Sequence, residues 1–334
     1  MNVTSYIFDA NFNPNGTCYI EVNITDGYYV TNHYWILTVS NHSELGTYII
    51  NHNHAHLEDL KSIPTQWIED AKENLNIAYG HTSHGSQLTE GMDNLDAFMG
   101  GYDLYIYGPD GATNDSILEF YDFYGGFGGA LTTTSAEDLG NPNDDAWAAA
   151  TEEYLDHPSN PGTNVIMWSW CNIGGHDIPG YLSHMEDLIS KYSAGGSKGR
   201  SSANEVKFVF MTGHVDGGGI GGTNNLQNEL IREHCRTYNR ILFDFADIES
   251  YDPDDNYFLD LNVADDCSYT GGNWATEWIV GKTEMTSTSN TANNEPNGGD
   301  WYQCDAVHTH PLNSNLKAYA SWYLFARLAG WEGN

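Results

Sequence analysis

Asn76-Ile77-Ala78-Tyr79-Gly80-His81-Thr82-Ser83-His84-Gly85-Ser86-Gln87 changes character abruptly halfway along. Its apolar half, NIAYG (76–80), reads as a short strand buried on both faces, and the small polar residues after it read as a turn feeding a helix. The same break recurs. CNIGG follows NVIMWSW (164–170), HVDGGG continues from VKFVFMTG (206–213), and YDLYIYG (102–108) and RILFDFAD (240–247) are further apolar runs of strand length. Helical stretches separate them, of which AWAAATEEYL, YLSHMEDLISKY and NLQNELIREHCRTY are the clearest. Ser62-Ile63-Pro64 opens an earlier helix with Trp67, Ile68, Ala71 and Leu75 on one face, and a last helix stops at Gly330. Strands alternating with helices predict an α/β fold. The expectation is a doubly wound, flavodoxin-like, five-stranded parallel sheet with helices on both faces and a site at the carboxyl ends of its strands.

Outside this frame the reading changes. CYIEVNITD and HYWILTVSN are β-branched and aromatic and are separated by a turn-forming Asp-Gly, which predicts a β-rich appendage over 1–61 ahead of an α/β domain over 62–334. Exposed strand edges there would permit self-association. Residues 251–303 carry much Gly, Asn, Asp and Thr without helical or strand period and read as a long loop excursion.

The chain of 334 residues holds 12 Lys plus Arg against 46 Asp plus Glu, a formal charge of −34. Such a surface repels nucleic-acid phosphates and anionic lipid. No apolar run approaches the roughly 18 residues that a membrane-spanning helix needs, so no membrane insertion is expected. Sequons at Asn2, Asn15, Asn23, Asn41 and Asn114, with few lysines, suit a secreted or cell-surface glycoprotein whose export signal is absent from this chain. Of five cysteines, Cys171 and Cys235 sit in segments that read as buried. Cys267 and Cys304 flank the Gly- and Asn-rich loop and are the expected disulfide.

The chemistry concentrates at the strand-to-turn breaks. Ser83 follows the first strand, where a helix N-terminus offers N–H groups to an oxyanion, and Asp305-Ala306-Val307-His308 offers a carboxylate three residues before an imidazole. Ser83, His308 and Asp305 thus make a complete nucleophilic set, with His310 as a rival imidazole. In order and placement these residues resemble the SGNH (GDSL-like) hydrolases. The resemblance implies oxyanion roles for the Ser83 N–H, for Asn172 after the central strand and for Gly108 after the second. It also implies an O-acetylated carbohydrate substrate, small or polymeric, and no required cofactor. Gly-Asp-Ser is absent; His81-Thr82-Ser83-His84-Gly85 stands in its place, a His-x-Ser-x-Gly variant that leaves Ser86 as an alternative nucleophile. IPTQWIEDAKENLNIAYGHTSHGSQ and VIMWSWCN also resemble a group of secreted or surface proteins without an assigned substrate.

Other readings stay open. His81 and His84, with His308 or an acidic residue, could hold a metal for a metal-dependent hydrolase, or with His214 could line a substrate pocket. Asp252, Asp254, Asn256 and Asp260 resemble an oxygen-rich calcium loop, although an Asp-rich turn is the default. His52, His54 and His56 alternate as on the solvated face of a strand. A non-catalytic surface, glycan-binding or self-assembling protein on an esterase-like scaffold is the competing class.

Overall fold

The computed structural model describes residues 49–109, 116–127, 132–202, 204–285 and 299–333, and the backbone of the strands at 16–25 and 30–39. The chain divides into two compact units, Met1–Gly46 and Thr47–Asn334. In the first, β1 (Gly16–Thr25) pairs antiparallel with β2 (Val30–Val39), Thr25 opposite Val30 and Gly16 opposite Val39. The boundary falls before the expected 61/62 because residues 49–61 belong to the α/β unit.

That unit begins with β3 (Ile49–Ile50), α1 (Leu57–Ser62), α2 (Thr65–Asn74), β4 (Asn76–His81), α3 (Ser83–Asp93) and α4 (Leu95–Phe98). It continues with β5 (Tyr107–Gly108), β6 (Leu118–Tyr124), α5 (Ala146–Asp156), β7 (Val165–Trp168), α6 (Ile178–Tyr192) and β8 (Lys207–Met211). It ends with α7 (Thr223–Tyr238), β9 (Ile241–Phe243), α8 (Phe245–Glu249), β10 (Ser268–Tyr269), β11 (Gly272–Asn273), α9 (Trp274–Trp278) and α10 (Pro311–Ala329).

The main sheet runs β3-β9-β8-β7-β4-β6-β5, with every pairing parallel. It has seven strands, not five. The inner five, β6-β4-β7-β8-β9, keep the flavodoxin-like order, with the second strand on one side of the first and the later three on the other. The two additions are two-residue edge strands. The second central strand is LEFYDFY (118–124), whose Glu119 and Asp122 interrupt the apolar signal; YDLYIYG supplies only Tyr107 and Gly108, and its Tyr102 is exposed.

Alternate residues of each inner strand feed opposite cores. Ile77 and Tyr79 of β4, with Val165 and Met167 of β7, pack under α10 and α2, while Ala78, Ile166 and Trp168 face α5 and α6. Burial on both faces explains the continuous apolar runs. Helix α10 is buried from Leu312 to Leu328 and carries polar residues into the interior. Lys317 Nζ is held by Glu249 Oε1 at 3.0 Å and Gln87 Oε1 at 2.7 Å, so its charge is paired where water is absent.

The described residues of the excursion, 251–285 and 299–303, hold more regular structure than expected. They form a 3-10 turn at Leu259–Leu261, the β10–β11 hairpin and α9, and they bury Val263, Cys267, Trp274 and Ala275 in the core. Cys267 and Cys304 are not bridged; Cys171, Cys235, Cys267 and Cys304 are all free thiols. Cys267 Sγ lies 3.5 Å from Thr309 Oγ1, and Asn315 Nδ2 points to Cys304 Sγ at 3.6 Å. Cys18 and the side chains of the five sequon asparagines lie outside the described residues. No described helix is long and apolar enough to cross a membrane.

Candidate functional site

The inner-strand order reverses at β4, which separates β6 from β7, and that switch is where a doubly wound sheet opens a crevice at its carboxyl edge. Gly80 of β4 pairs with Trp168 of β7, and Ser83 and Cys171 each come three residues beyond that pair. Register therefore brings their side chains level. Ser83 is the first residue of α3, after the cap residue Thr82. Gly85 lets this helix start close to the sheet: a Cβ there would stand 2.3 Å from Ser169 Oγ and 2.4 Å from His81 Cβ. His214 follows β8, the next strand along, Asp265 enters from the loop before β10, and His308 from the turn before α10.

These residues meet in one cluster. His84 Nδ1 lies 3.6 Å from Cys171 Sγ, and His84 Nε2 lies 3.0 Å from Asp265 Oδ2. Ser83 Oγ is 3.6 Å from the same sulfur. The His84 ring is stacked between His214, centroids 3.9 Å apart at 7°, and His308, 4.6 Å apart at 20°. Burial alone would lower the pKa of His84, but its hydrogen bonds to Asp265 and Cys171 outweigh that and lift it to about 9. The His84 hydrogen bond, against the pull of burial, brings the Cys171 thiol down to about 7. Partial burial pulls Asp265 upward, yet His84 and His214 hold its carboxyl below the usual range. A thiol, an imidazole and a carboxylate in line, with the proton on the ring, is the arrangement that generates a thiolate nucleophile. The first N–H groups of α3 have no intrahelical acceptor and stand beside it.

The turn that carries His308 is clamped by α3. Gln87 Nε2 donates to Val307 O at 2.7 Å, and Val307 N donates to Glu90 Oε2 at 2.9 Å. His308 itself takes a left-handed backbone, φ 64°. The Asp305-to-His308 offset is therefore not a helical turn, and the two side chains are not stacked by it. Among the described residues no hydrogen bond joins Asp305 to His308 or His308 to Ser83. Asp305 is exposed, and its charge bears on Glu90, Asp93 and Cys304. His310 caps α10, its Nδ1 accepting from Leu312 N at 3.1 Å. Ser86 is buried one turn into α3.

The two expected oxyanion partners fall in different places. Asn172 sits beside Cys171, and its Oδ1 accepts the Gly174 N–H at 3.0 Å, closing a local turn that fixes the amide. Gly108 pairs with Glu119, which pairs with Asn76 at the start of β4. Gly108 is thus level with the amino end of β4, and the site lies on the order of 15 Å further along the strand direction at about 3.3 Å per residue. The strand that occupies the expected position is β6, followed by Gly125 and Gly126.

His81 and His84 do not act together. His81 is buried, its Nε2 bonded to Asp122 and its Nδ1 3.0 Å from Thr82 O, so it neither lines the pocket nor shares a metal with His84. Among the described residues the group that could share one is His84, His214 and Asp265. In the Asp-rich stretch, Asp252 Oδ1 accepts N–H groups of Asp254 and Asn256 at 2.9 and 3.0 Å, and its Oδ2 accepts Asn256 Nδ2 at 2.9 Å. That is an Asp-anchored turn, and among the described residues Asp252, Asp254 and Asp260 do not bring their carboxylates together as a group that could hold one ion. His52 and His54 lie in a 3-10 turn, not a strand, and His56 is held by Asp59 and Asp255 at 2.8 Å each.

Sequence reasoning missed Cys171 and Asp265. Cys171 follows its strand as directly as Ser83 follows β4, a usable signal; Asp265 had none, being one carboxylate of a long Asp-rich excursion. Comparison with protein-family models, curated proteins and solved structures finds no match to this chain.

Proposed function

We propose that this protein hydrolyses acyl esters by nucleophilic catalysis, with Cys171 as nucleophile, His84 as base and acid, and Asp265 as the group that orients His84. The observation that carries the proposal is the line from Cys171 Sγ through both ring nitrogens of His84 to Asp265. The Cys171 thiolate attacks the ester carbonyl carbon, and α3 N–H groups receive the oxyanion. As the intermediate collapses, the C–O bond breaks and His84 Nδ1 gives its proton to the departing alkoxide. His84 then takes a proton from water, whose oxygen attacks the thioester and returns the thiolate. The carboxylate of Asp265 holds the ring in place throughout and stabilises it whenever it carries both protons.

A second reading keeps Ser83 as nucleophile and His308 as its base, as the SGNH resemblance implies. It is favoured by the position of Ser83 at the head of α3, directly after the first inner strand. The O-acetylated carbohydrate substrate and the extracellular or surface setting belong to the proposal on the same resemblance and on the sequons.

Hydrolysis of a chromogenic acetyl ester by the wild type, Cys171→Ala and Ser83→Ala tests the choice. Loss on the order of 10³-fold or more in Cys171→Ala with a smaller loss in Ser83→Ala supports the thiol. The opposite ranking supports the serine. No hydrolysis by the wild type, across acetylated sugars as well, would leave a binding or assembly protein.

A further inference from the structure

We propose that His84, His214 and Asp265 form a binding centre for one divalent transition-metal ion of the zinc class. One ligand atom from each lies within 4.8 Å of the other two, which brings two imidazole nitrogens and a carboxylate oxygen together. Around a tetrahedral zinc ion with bonds near 2.0–2.1 Å such atoms stand about 3.3 Å apart, so the site is completed when the His214 ring, stacked on His84 at 7°, turns out of parallel to aim its lone pair at the same ion. His84 Nε2 and Asp265 Oδ2 stand 3.0 Å apart in a hydrogen bond whose proton the ion would displace.

The stronger argument is what holds the other end of each ligand. His214 Nδ1 donates to Val215 O at 2.7 Å, which leaves its Nε2 with a free lone pair; the Val215 N–H is in turn fixed by Glu249 Oε2 at 2.9 Å. His84 Nδ1 is occupied by Cys171, so its Nε2 is the ligand atom. Asp265 Oδ1 accepts the Asp266 N–H at 3.0 Å and leaves Oδ2 for the ion. Each ligand is thus oriented through its non-ligating atom, as metal-binding side chains are. Two imidazoles and a carboxylate suit zinc or cobalt and are a poor set for calcium, which takes oxygen ligands. Three protein ligands leave a fourth position for water.

The consequence for catalysis rests on the thiol reading above. A metal on His84 Nε2 leaves the ring's one proton on Nδ1, so His84 cannot accept the Cys171 proton, and Asp265 is diverted from orienting the ring. Metal and relay exclude each other, and zinc acts as an inhibitor of this enzyme.

The test uses the full chain stripped with a chelator. Titration with Co²⁺, followed by visible absorption, and with Zn²⁺, followed by calorimetry, should give one equivalent bound with proton release. His214→Ala, and His214→Gln as a second variant of closer size, should weaken binding on the order of 10-fold or more, while Asp252→Asn leaves it unchanged. Absent binding, or binding indifferent to both His214 variants when their circular dichroism is native, overturns the site. In wild-type protein that hydrolyses ester, added zinc should inhibit and chelation restore turnover. Activity that instead requires the metal would overturn the exclusion and the thiol reading together, and leave the binding centre standing.

Discussion

The nitrogen of His84 that faces Cys171 Sγ, at 3.6 Å, is the one opposite the nitrogen that meets Asp265 Oδ2 at 3.0 Å. One ring therefore spans two groups that the chain keeps 94 residues apart (265 − 171 = 94). A thiol so placed is acidic, and an imidazole so placed keeps its proton.

Thiol reactivity should show this directly. With chelator present, the rate of alkylation at Cys171 should rise with pH and reach half its plateau near pH 7, against about 8.5 for an unperturbed thiol. The sign follows from the lowered pKa: thiolate prevails above the shifted value and is lost as the pH falls through it. Peptide mapping across a pH series measures it, and a midpoint at or above 8.5 would remove the ion pair from consideration.

Asp265→Asn retains the size of the side chain while removing its charge. It should cut kcat for ester hydrolysis by roughly 10²–10⁴-fold, since the ring loses the partner that fixes its tautomer, with a smaller effect on KM. It should also move the Cys171 alkylation midpoint upward. A kcat within a factor of two of wild type would show that Asp265 does not orient the catalytic base.

Gly85 is where α3 passes closest to the sheet. Gly85→Ala adds a Cβ 2.3 Å from Ser169 Oγ and 2.7 Å from Tyr79 Oη, neither of which is free to withdraw far. Overpacking of this kind costs about 1–3 kcal/mol, and denaturant unfolding should register it. Because the shift falls between Ser83 and the body of α3, turnover should drop as well, by more than the loss of folded protein explains.

The Lys317 pair is the interior counterpart. Lys317→Met leaves the Glu249 carboxylate buried without its cation, which should destabilise the fold by about 3–5 kcal/mol. Thermal unfolding measures it. The same change loosens Gln87, the residue that anchors the His308 turn, so mobility at residues 305–310 should increase in hydrogen exchange.

What could be read from the residues follows from which physical signals are local. Apolar runs ended by small polar residues mark parallel strands buried on both faces, and that gave the α/β class and the carboxyl edge as the place to look. Strand β6 escaped because Glu119 and Asp122 break its apolar run, and with it went the position assigned to Gly108. Ser83, His84, Asn172 and His214 stand at strand ends and were legible for that reason. Asp305 was chosen by a helical offset that the left-handed backbone of His308 cancels. Asp265 reaches the site only through tertiary packing of the 251–303 excursion, which no local pattern encodes.

The most direct test is where the acyl group is caught. Brief reaction with a slowly deacylated activated ester, acid quench and peptide mass spectrometry should find a thioester on the peptide containing Cys171 and none on the peptide containing Ser83. An acyl group on Ser83, or turnover with no covalent intermediate at either residue, would contradict the Cys171–His84–Asp265 relay.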